Sequence, residues 1–183
     1  MRTRNLFAAT ALLGITGTGH AAGFNLTSPD IEPNGTIDKK FEANVFGCSG
    51  ENKSPALKWS AAPKDTKSYA VTVYDPDAPT GSGFWHWLIV NIPSNVTELE
   101  AGAGSAGGKM PAGALQTRTD FGAPGYGGPC PPEGDHPHRY LFTVFAVKTD
   151  KIDVKADTSA AVVGFNLHFN TLAKAEIMGL FKR

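Results

Sequence analysis

The segment Asp75-Pro76-Asp77-Ala78-Pro79-Thr80 runs on through Gly81-Ser82-Gly83 into Phe84-Trp85-His86-Trp87. Two carboxylates stand two residues apart, and the proline between them fixes φ, so the acids have little conformational freedom. An ordinary surface turn needs one proline and a glycine, rather than two acids followed by large aromatic side chains. The segment is therefore interpreted as one wall of a recessed polar site with an apolar surround.

Strong strand patterns flank this segment on both sides. Residues 67–75 carry apolar or small side chains on both faces, which predicts a strand inside a sheet that delivers the acids at its end. Residues 85–92 predict a second strand, which Pro93 stops. Further strand patterns occupy residues 24–28, 40–46, 56–59, 115–120, 139–147 and 177–181, the last with an extended tail as its alternative.

The final part of the chain changes period. Apolar residues recur there at three- and four-residue spacing after an N-cap signal at residues 157–159, which predicts an amphipathic helix. The residues of its apolar stripe are Val162, Val163, Phe165, Phe169, Leu172 and Ala173. Many strands followed by one helix predict an antiparallel β fold with a helix packed on its edge or end.

Charge and composition narrow the class of protein. The sequence has 17 basic and 17 acidic residues among 183 and no basic cluster, so neither nucleic acid nor an anionic membrane is expected as the main partner. Its 21 glycines and 13 prolines favour a turn-rich β protein over a helical bundle. No internal repeat or linker divides the sequence, which predicts a single domain over residues 22–183.

The first residues have the three parts of a secretory signal peptide. Arginines at positions 2 and 4 form a basic start, residues 6–15 are apolar but too short to span a bilayer, and Gly19-His20-Ala21 supplies small residues for cleavage. We expect a signal peptide over residues 1–21, with cleavage after Ala22 as the second choice. The alternative is an anchoring or disordered N-terminus. The mature protein is therefore expected in the periplasm or outside the cell.

The two cysteines are interpreted in that context. An even number of cysteines in an exported chain usually forms disulfides, so we predict one bridge between Cys48 and Cys130. The alternative is a pair of free buried thiols. Cys130 lies within residues 121–137, whose many glycines and prolines exclude a helix or a central strand and predict a shaped loop.

A second polar cluster follows that loop. His136 and His138 stand two residues apart, with Tyr140 two further, so all three share one face if the chain is extended. We hypothesise that one small pocket collects four side chains, whose donors suit a phosphate, sulfate or carboxylate group. The four are Asp75, His86, His138 and Tyr140. The alternatives are structural histidines with ordinary hydrogen bonds, and a simple hairpin turn at the Asp-Pro dipeptide.

Other chemistries have weaker signals. Two histidines and two aspartates could hold a divalent ion, but no spacing matches a specific zinc motif. The sequence contains no G-x-S-x-G elbow, P-loop or dinucleotide fingerprint, so no catalytic residue, cofactor or metal ligand is predicted. A metal-dependent or hydrolytic enzyme that uses the Asp and His residues stays as an alternative.

Four motifs in order resemble the phosphatidylethanolamine-binding protein family, in its bacterial YbhB/YbcL branch of Raf kinase inhibitor-like proteins. The motifs are Asn52-Lys53-Ser54-Pro55-Ala56-Leu57-Lys58-Trp59-Ser60, Asp75-Pro76-Asp77-Ala78-Pro79, Trp85-His86-Trp87, and the run from Tyr126-Gly127-Gly128-Pro129 through Pro131-Pro132-Glu133-Gly134 to His138-Arg139-Tyr140. The resemblance covers essentially the whole mature chain. The signal peptide and both cysteines match the exported side of that branch.

The resemblance implies a large antiparallel β-sandwich of Greek-key type with a C-terminal helix, and an anion pocket. The ligand-binding residues carried over position by position are Asp75, Asp77, His86, His138 and Tyr140, with Gly128, Pro131 and Pro132 from the loop that shapes the pocket. The resemblance further suggests a cis peptide bond at Ala78–Pro79, and a homodimer by analogy with bacterial members.

The resemblance therefore predicts a non-enzymatic binding protein for a phosphate, a phospholipid head group or a phosphorylated side chain. The alternative is an inhibitor or modulator of a partner protease or kinase, acting through the surface around the pocket. Trp85 stands where eukaryotic members often carry a second histidine, and the C-terminal helix region differs from theirs. Inhibition of a Raf-type kinase is therefore not expected.

Overall fold

Two antiparallel sheets and one α-helix form the fold of residues 23–183, which are the residues that the structure, a computed structural model, describes. The elements are β1 (Asn25–Thr27), β2 (Leu57–Ser60), β3 (Ser68–Asp75), β4 (Phe84–Pro93), β5 (Glu98–Leu99), β6 (Leu115–Gln116), β7 (His138–Val147), α1 (Ala160–Asn170) and β8 (Thr171–Phe181). The predicted mainly β class is confirmed, and the predicted signal peptide lies outside the described residues. No helix in this range is both long and apolar enough to cross a membrane.

The central strand β3 is buried on both faces because different layers cover them. The larger sheet has the order β6-β4-β3-β7-β8, and the smaller sheet has the order β1-β2-β5. Val71 and Val73 of β3 belong to the main core, together with Trp59 of the smaller sheet. Ala70 points to the opposite side and packs in a second core that includes Leu167 of α1. These two layers explain why both faces of β3 are apolar in the sequence.

One end of the larger sheet collects the polar residues. Antiparallel pairing sets the end of β3 beside the starts of β4 and β7, with Asp75 opposite Phe84 and Tyr74 opposite Leu141. His86 and His138 lie at the beginnings of β4 and β7. Three neighbouring strands therefore bring Asp75 and the two histidines to the same end of the sheet.

Residues 40–46 do not form the predicted strand. A 3₁₀ turn covers Lys39–Phe41, and the Asp38 side chain caps it by accepting a hydrogen bond from the Lys40 amide at 2.9 Å. Phe41 is buried, as the strand pattern required, but Val45 is 44% exposed in the loop that follows. A local side-chain cap therefore outweighs a short alternating pattern in this segment.

Helix α1 covers only part of the predicted helix, because it ends at Asn170, and Leu172 and Ala173 of the predicted stripe lie in β8. Within α1, Val163 is the one residue of that stripe that is buried. Ala160, Val163 and Leu167 are buried, and they pack against the outer face of the larger sheet. Four residues of the predicted stripe are instead 41–65% exposed, namely Val162, Phe165, Phe169 and Leu172. The helix is apolar over most of its circumference, so the period alone does not identify the buried face.

Truncation of one buried and one exposed side chain of α1 tests this orientation. Leu167→Ala is expected to lower the free energy of unfolding by about 2–5 kcal/mol, because it leaves a cavity in the second core. Phe165→Ala is expected to change that free energy by less than about 0.5 kcal/mol, since the side chain is solvent-exposed. Urea denaturation of both variants and the parent measures the difference. An equal loss in the two variants would contradict the observed packing.

Candidate functional site

A cavity of about 310 Å³ opens where β3 ends and β4 and β7 begin. Its wall is formed by the segment after β3, the starts of β4 and β7, two loops, and Arg183, which lies just after β8. The lining residues are Phe46, Asp75, Ala78, Pro79, Thr80, Phe84, His86, Phe121, Cys130, Pro131, Pro132, His138 and Arg183. Five of the sequence-predicted site residues therefore share one cavity: Asp75, His86, Pro131, Pro132 and His138.

The carboxylate of Asp75 is buried and already satisfied by the protein. Its Oδ1 accepts hydrogen bonds from the backbone amides of Asp77 at 2.8 Å and Ala78 at 3.1 Å. Its Oδ2 lies 2.8 Å from Nδ1 of His138. Because three donors already contact its two oxygens, Asp75 holds the turn and the imidazole in place and is not free to contact a ligand.

The predicted cis peptide bond at Ala78–Pro79 is wrong, because residues 23–183 contain only trans peptide bonds. The Asp75 side chain and a bond from the Thr80 amide to the Ala78 carbonyl at 2.7 Å close the turn with trans geometry. A trans bond before proline is favoured by about 0.5–1 kcal/mol, so the cis form needs a structural reason that this turn does not supply.

His138 is fully buried between two carboxylates. While Nδ1 contacts Asp75, Nε2 lies 3.3 Å from Oδ2 of Asp135. Burial alone lowers the pKa of His138, but the hydrogen bonds from Asp75 and Asp135 outweigh it and leave the pKa raised. The imidazole therefore contributes positive charge to the cavity over a wider pH range than a free histidine.

His86 has a defined tautomer. Its Nδ1 lies 2.8 Å from the Gly127 carbonyl and 3.1 Å from the Gly128 carbonyl. Because carbonyls only accept hydrogen bonds, Nδ1 carries the proton, and Nε2 is the ring nitrogen left for the cavity. Burial lowers the pKa of His86, although the two carbonyls and the charges of Asp75 and Asp120 oppose that shift. An anion beside Nε2 would favour the protonated ring.

Tyr140 lies behind the wall rather than on it. Its ring meets that of His86 edge to face at 5.1 Å, and its hydroxyl is buried without a hydrogen-bond partner in the described part of the chain. Burial raises the pKa of Tyr140 far above its ordinary value, and the Asp75 charge adds to the shift. The phenol is therefore a protonated donor beside the site.

Aromatic side chains form the apolar part of the wall. Phe121 packs edge to face against Phe84 at 4.9 Å and against His86 at 5.3 Å. Phe46 stacks on the same Phe121 ring at 5.9 Å, although it is 73% exposed. The φ angle of Phe46 is 54°, in the left-handed region, which is rare for a bulky residue. This backbone conformation holds an aromatic ring at the mouth of the cavity.

The predicted disulfide between Cys48 and Cys130 is present. It joins the loop that carries Phe46 to the loop that carries Pro131 and Pro132, and residues of both loops line the cavity. The bridge therefore restrains two parts of the wall that are 82 positions apart in sequence.

Arg183 is a cavity residue that the sequence analysis missed. Its Nε donates a hydrogen bond to the Pro131 carbonyl at 2.8 Å, which holds the guanidinium at the wall. The remaining N–H groups of a guanidinium suit an anion. No sequence signal could have identified Arg183, because it belongs to no motif and reaches the cavity only through the fold.

Two other predicted site residues lie off the cavity wall. Asp77 pairs instead with Arg139, whose Nε and Nη2 donate to its carboxylate at 2.9 and 2.6 Å, and this pairing lowers the pKa of Asp77 to about 2. Gly128 donates its amide to Oδ1 of Asn52 at 2.8 Å. A Cβ atom at position 128 would collide with the backbone of Phe41, so this glycine permits the close approach of two loops.

Comparison with known proteins adds sequence and fold relatives to this geometry. A family model described as phosphatidylethanolamine-binding protein matches residues 27–182. The UPF0098 protein YbcL of Escherichia coli (strain K12) is 50% identical over 98% of this chain and 98% of its own length, and YbhB of the same organism is 49% identical over 85% and 98%. The crystal structure of E. coli YbcL, described as a new member of the mammalian PEBP family, has a TM-score of 0.86 at 51% identity and covers 88% of this chain and 99% of that chain.

The environment of His86 makes its titration a test of this geometry. We expect a pKa below the ordinary 6.5 and, in the neutral form, the proton on Nδ1. Because the folded pKa is below the unfolded one, the unfolded state binds more protons here, and this group reduces stability as pH falls below about 6.5. Nitrogen-15 NMR of the ring measures both properties, with His86→Gln to assign the signals. A midpoint above 6.5, or a proton on Nε2, would contradict the description.

Proposed function

This chain belongs to the phosphatidylethanolamine-binding protein family, and we propose that it is an exported, non-enzymatic protein whose cavity binds a small anionic group. A phosphate, a phospholipid head group and a phosphorylated side chain share the chemistry that the cavity would recognise. The observation that carries the proposal is the arrangement of charge. Three basic side chains face the cavity, whereas the one acid on its wall is occupied by donors from the protein.

The polar part of the wall favours an anion over a cation. The carboxylate of Asp75 already accepts hydrogen bonds from two backbone amides and one imidazole, so it is not available to bind a cation in the cavity. Arg183 supplies a permanent positive charge, and His138 and His86 supply protonatable rings. Charge-assisted hydrogen bonds of this kind are about twice as strong as neutral ones, so a doubly charged anion gains most.

The apolar part of the wall favours an anion that carries a short organic group. The volume of about 310 Å³ exceeds what a bare phosphate requires and lies at the lower end of the range for small-molecule sites, roughly 300–1,000 Å³. Phe84 and Phe121 offer apolar surface beside the basic groups. A phosphorylated head group or side chain would use both parts of the wall.

The side chains on the wall give no reason to propose a chemical step. Thr80 is the hydroxyl residue there, and its hydroxyl donates to the Gly83 carbonyl instead of contacting a base. Cys130 is tied in the disulfide. Without an activated nucleophile on the wall, retention of the ligand is the simpler use of the Asp75–His138 pair.

Export is supported by the disulfide and by the predicted signal peptide. Disulfides persist in oxidising compartments such as the periplasm, so the Cys48–Cys130 bridge favours a mature protein in that space or outside the cell. E. coli YbcL, which is similar over 98% of both chains, aligns through the N-terminal region as well.

A second candidate function is modulation of a partner protein through the rim of the cavity. Phe46, 73% exposed at the mouth, is the observation that favours it. A protein partner would cover this ring on binding, as aromatic anchors are covered in many interfaces. Phe46→Ala should then abolish partner binding and leave the affinity for small anions largely intact.

NMR titration of the mature, oxidised protein tests the anion proposal. Sulfate, phosphate, phosphoethanolamine and phosphoserine are added separately, and saturable shifts are expected near His86, His138 and Arg183. Arg183→Gln is expected to weaken binding at least about tenfold, because a hydrogen bond to a charged group contributes roughly 1.5–3 kcal/mol. Sulfate does not change its own charge between pH 5 and 8, so any pH dependence of its binding in that range comes from the protein. Sulfate binding should therefore strengthen as the pH falls and His86 becomes protonated.

Arg118→Gln is the matched control, since Arg118 is exposed and does not line the cavity. It should bind every anion as the parent does. Equal weakening in the two arginine variants would point to general charge attraction. The absence of saturable shifts with all four anions would refute the proposed function.

A further inference from the structure

We propose that Asp135, His136 and His138 form a binding site for a divalent transition-metal ion such as Zn²⁺. One donor atom from each of the three residues lies within 4.8 Å of the other two. Two imidazoles and one carboxylate favour zinc, nickel or cobalt over calcium or magnesium, which prefer oxygen ligands. The site shares only His138 with the proposed anion cavity, because neither Asp135 nor His136 lines that cavity.

The backbone explains why these residues meet. His138 is the first residue of β7, and Pro137 before it fixes φ in the connecting segment. His136 and His138 are two positions apart, and their rings lie 5.2 Å apart between centroids. Asp135 reaches both, with Oδ1 at 2.8 Å from Nδ1 of His136 and Oδ2 at 3.3 Å from Nε2 of His138. Three residues within a four-residue segment therefore bring their donor atoms to one small volume.

The distances fit a metal ion after a local adjustment. With bonds of about 2.0–2.2 Å to nitrogen and oxygen, two donors on one tetrahedral zinc ion lie roughly 3.4 Å apart. The 3.3 Å between Asp135 and His138 is already close to this separation. The donor atoms of the cluster lie up to 4.8 Å apart, so the widest separation must shorten for all three to bind one ion. The imidazole of His136 can move to shorten it, because this side chain is 63% exposed.

His138 supplies an observation that points to a cation at this place. Its Nδ1 is held 2.8 Å from the carboxylate of Asp75, which only accepts hydrogen bonds, so Nδ1 carries a proton. In a neutral ring Nε2 then carries a lone pair and can only accept a hydrogen bond, yet it faces Oδ2 of Asp135, which is also an acceptor. The buried Nε2 of His138 and the partly exposed Oδ2 of Asp135 face each other favourably only with a proton or a metal ion between them.

The same contact supplies the outer support that metal-binding histidines usually have. A ligating imidazole commonly donates its other ring N–H to a carboxylate, which fixes its orientation and makes the ligand nitrogen more basic. Asp75 has this relation to His138, and the pair is almost fully buried, with side-chain exposures of 3% and 0%. His138 is therefore a fixed ligand, whereas His136 is an exposed ligand at the surface.

Metal binding by the mature protein, stripped with a chelator, tests the inference. Zn²⁺ is titrated in competition with a chromophoric chelator, and Co²⁺ is added to look for the intense visible absorption of a four-coordinate site. Equimolar binding is expected. His136→Ala and Asp135→Asn should each weaken it by more than the roughly 10–100-fold that loss of an outer-shell partner costs.

His168→Ala is the matched control, because His168 is an exposed histidine on α1, away from the cluster. It should retain the parent affinity. Parent-like zinc binding by His136→Ala, or an equal loss in His168→Ala, would overturn the inference. His136→Ala should still show the anion-induced NMR shifts, so failure of the anion titration and failure of the metal titration remain distinguishable.

Discussion

Asp75 and His138 meet at 2.8 Å with both side chains almost completely buried, and they connect the end of β3 to the start of β7. Burial of a charged pair is expensive unless every remaining hydrogen-bonding atom is satisfied. Here the second oxygen of Asp75 accepts two backbone amides of the turn after β3. Loss of the carboxylate would leave those two amides and Nδ1 of His138 without a partner at once, so the turn, the strand start and the histidine orientation depend on this one group.

A second set of contacts holds the loops around the cavity and orients His86. Asn52, with φ of 51°, donates to the Tyr126 carbonyl at 3.2 Å and accepts from the Gly128 amide at 2.8 Å. This fixes the carbonyls of Gly127 and Gly128, which in turn fix the tautomer of His86. The disulfide and the Arg183–Pro131 contact complete the wall. A chain of neutral and charged hydrogen bonds therefore orients the two cavity histidines.

The sequence predicted those features that depend on local pattern. β3, β4 and β7 have long apolar runs whose interpretation does not depend on neighbours, and Asp75, His86 and His138 belong to motifs at the ends of those strands. The buried face of α1 could not be predicted in this way. Both Leu167 and Phe165 lie in an apolar helix, and only the position of the second core determines that Leu167 is the buried one.

Long-range geometry explains the other differences. Arg183 reaches the cavity because β8 pairs with β7 along its whole length and carries the following residues to the same end as His138. Phe46 reaches it because the 3₁₀ turn at Lys39–Phe41 replaces the expected strand and the disulfide draws the next loop inward. Neither position has a signal in the sequence, since each depends on contacts with residues more than 50 positions away.

The two acids of the Asp-Pro-Asp segment have different roles, although their spacing predicted side chains that point the same way. Extended chain would place both carboxylates on one face, but β3 ends at Asp75 and the chain turns at Pro76. Asp75 therefore points inward to His138, and Asp77 contacts Arg139, the next residue of β7. Each acid has its own positive partner, which removes the repulsion between them. Because this pairing uses both carboxylates inside the protein, the basic groups of the cavity wall are left to determine what the cavity can bind.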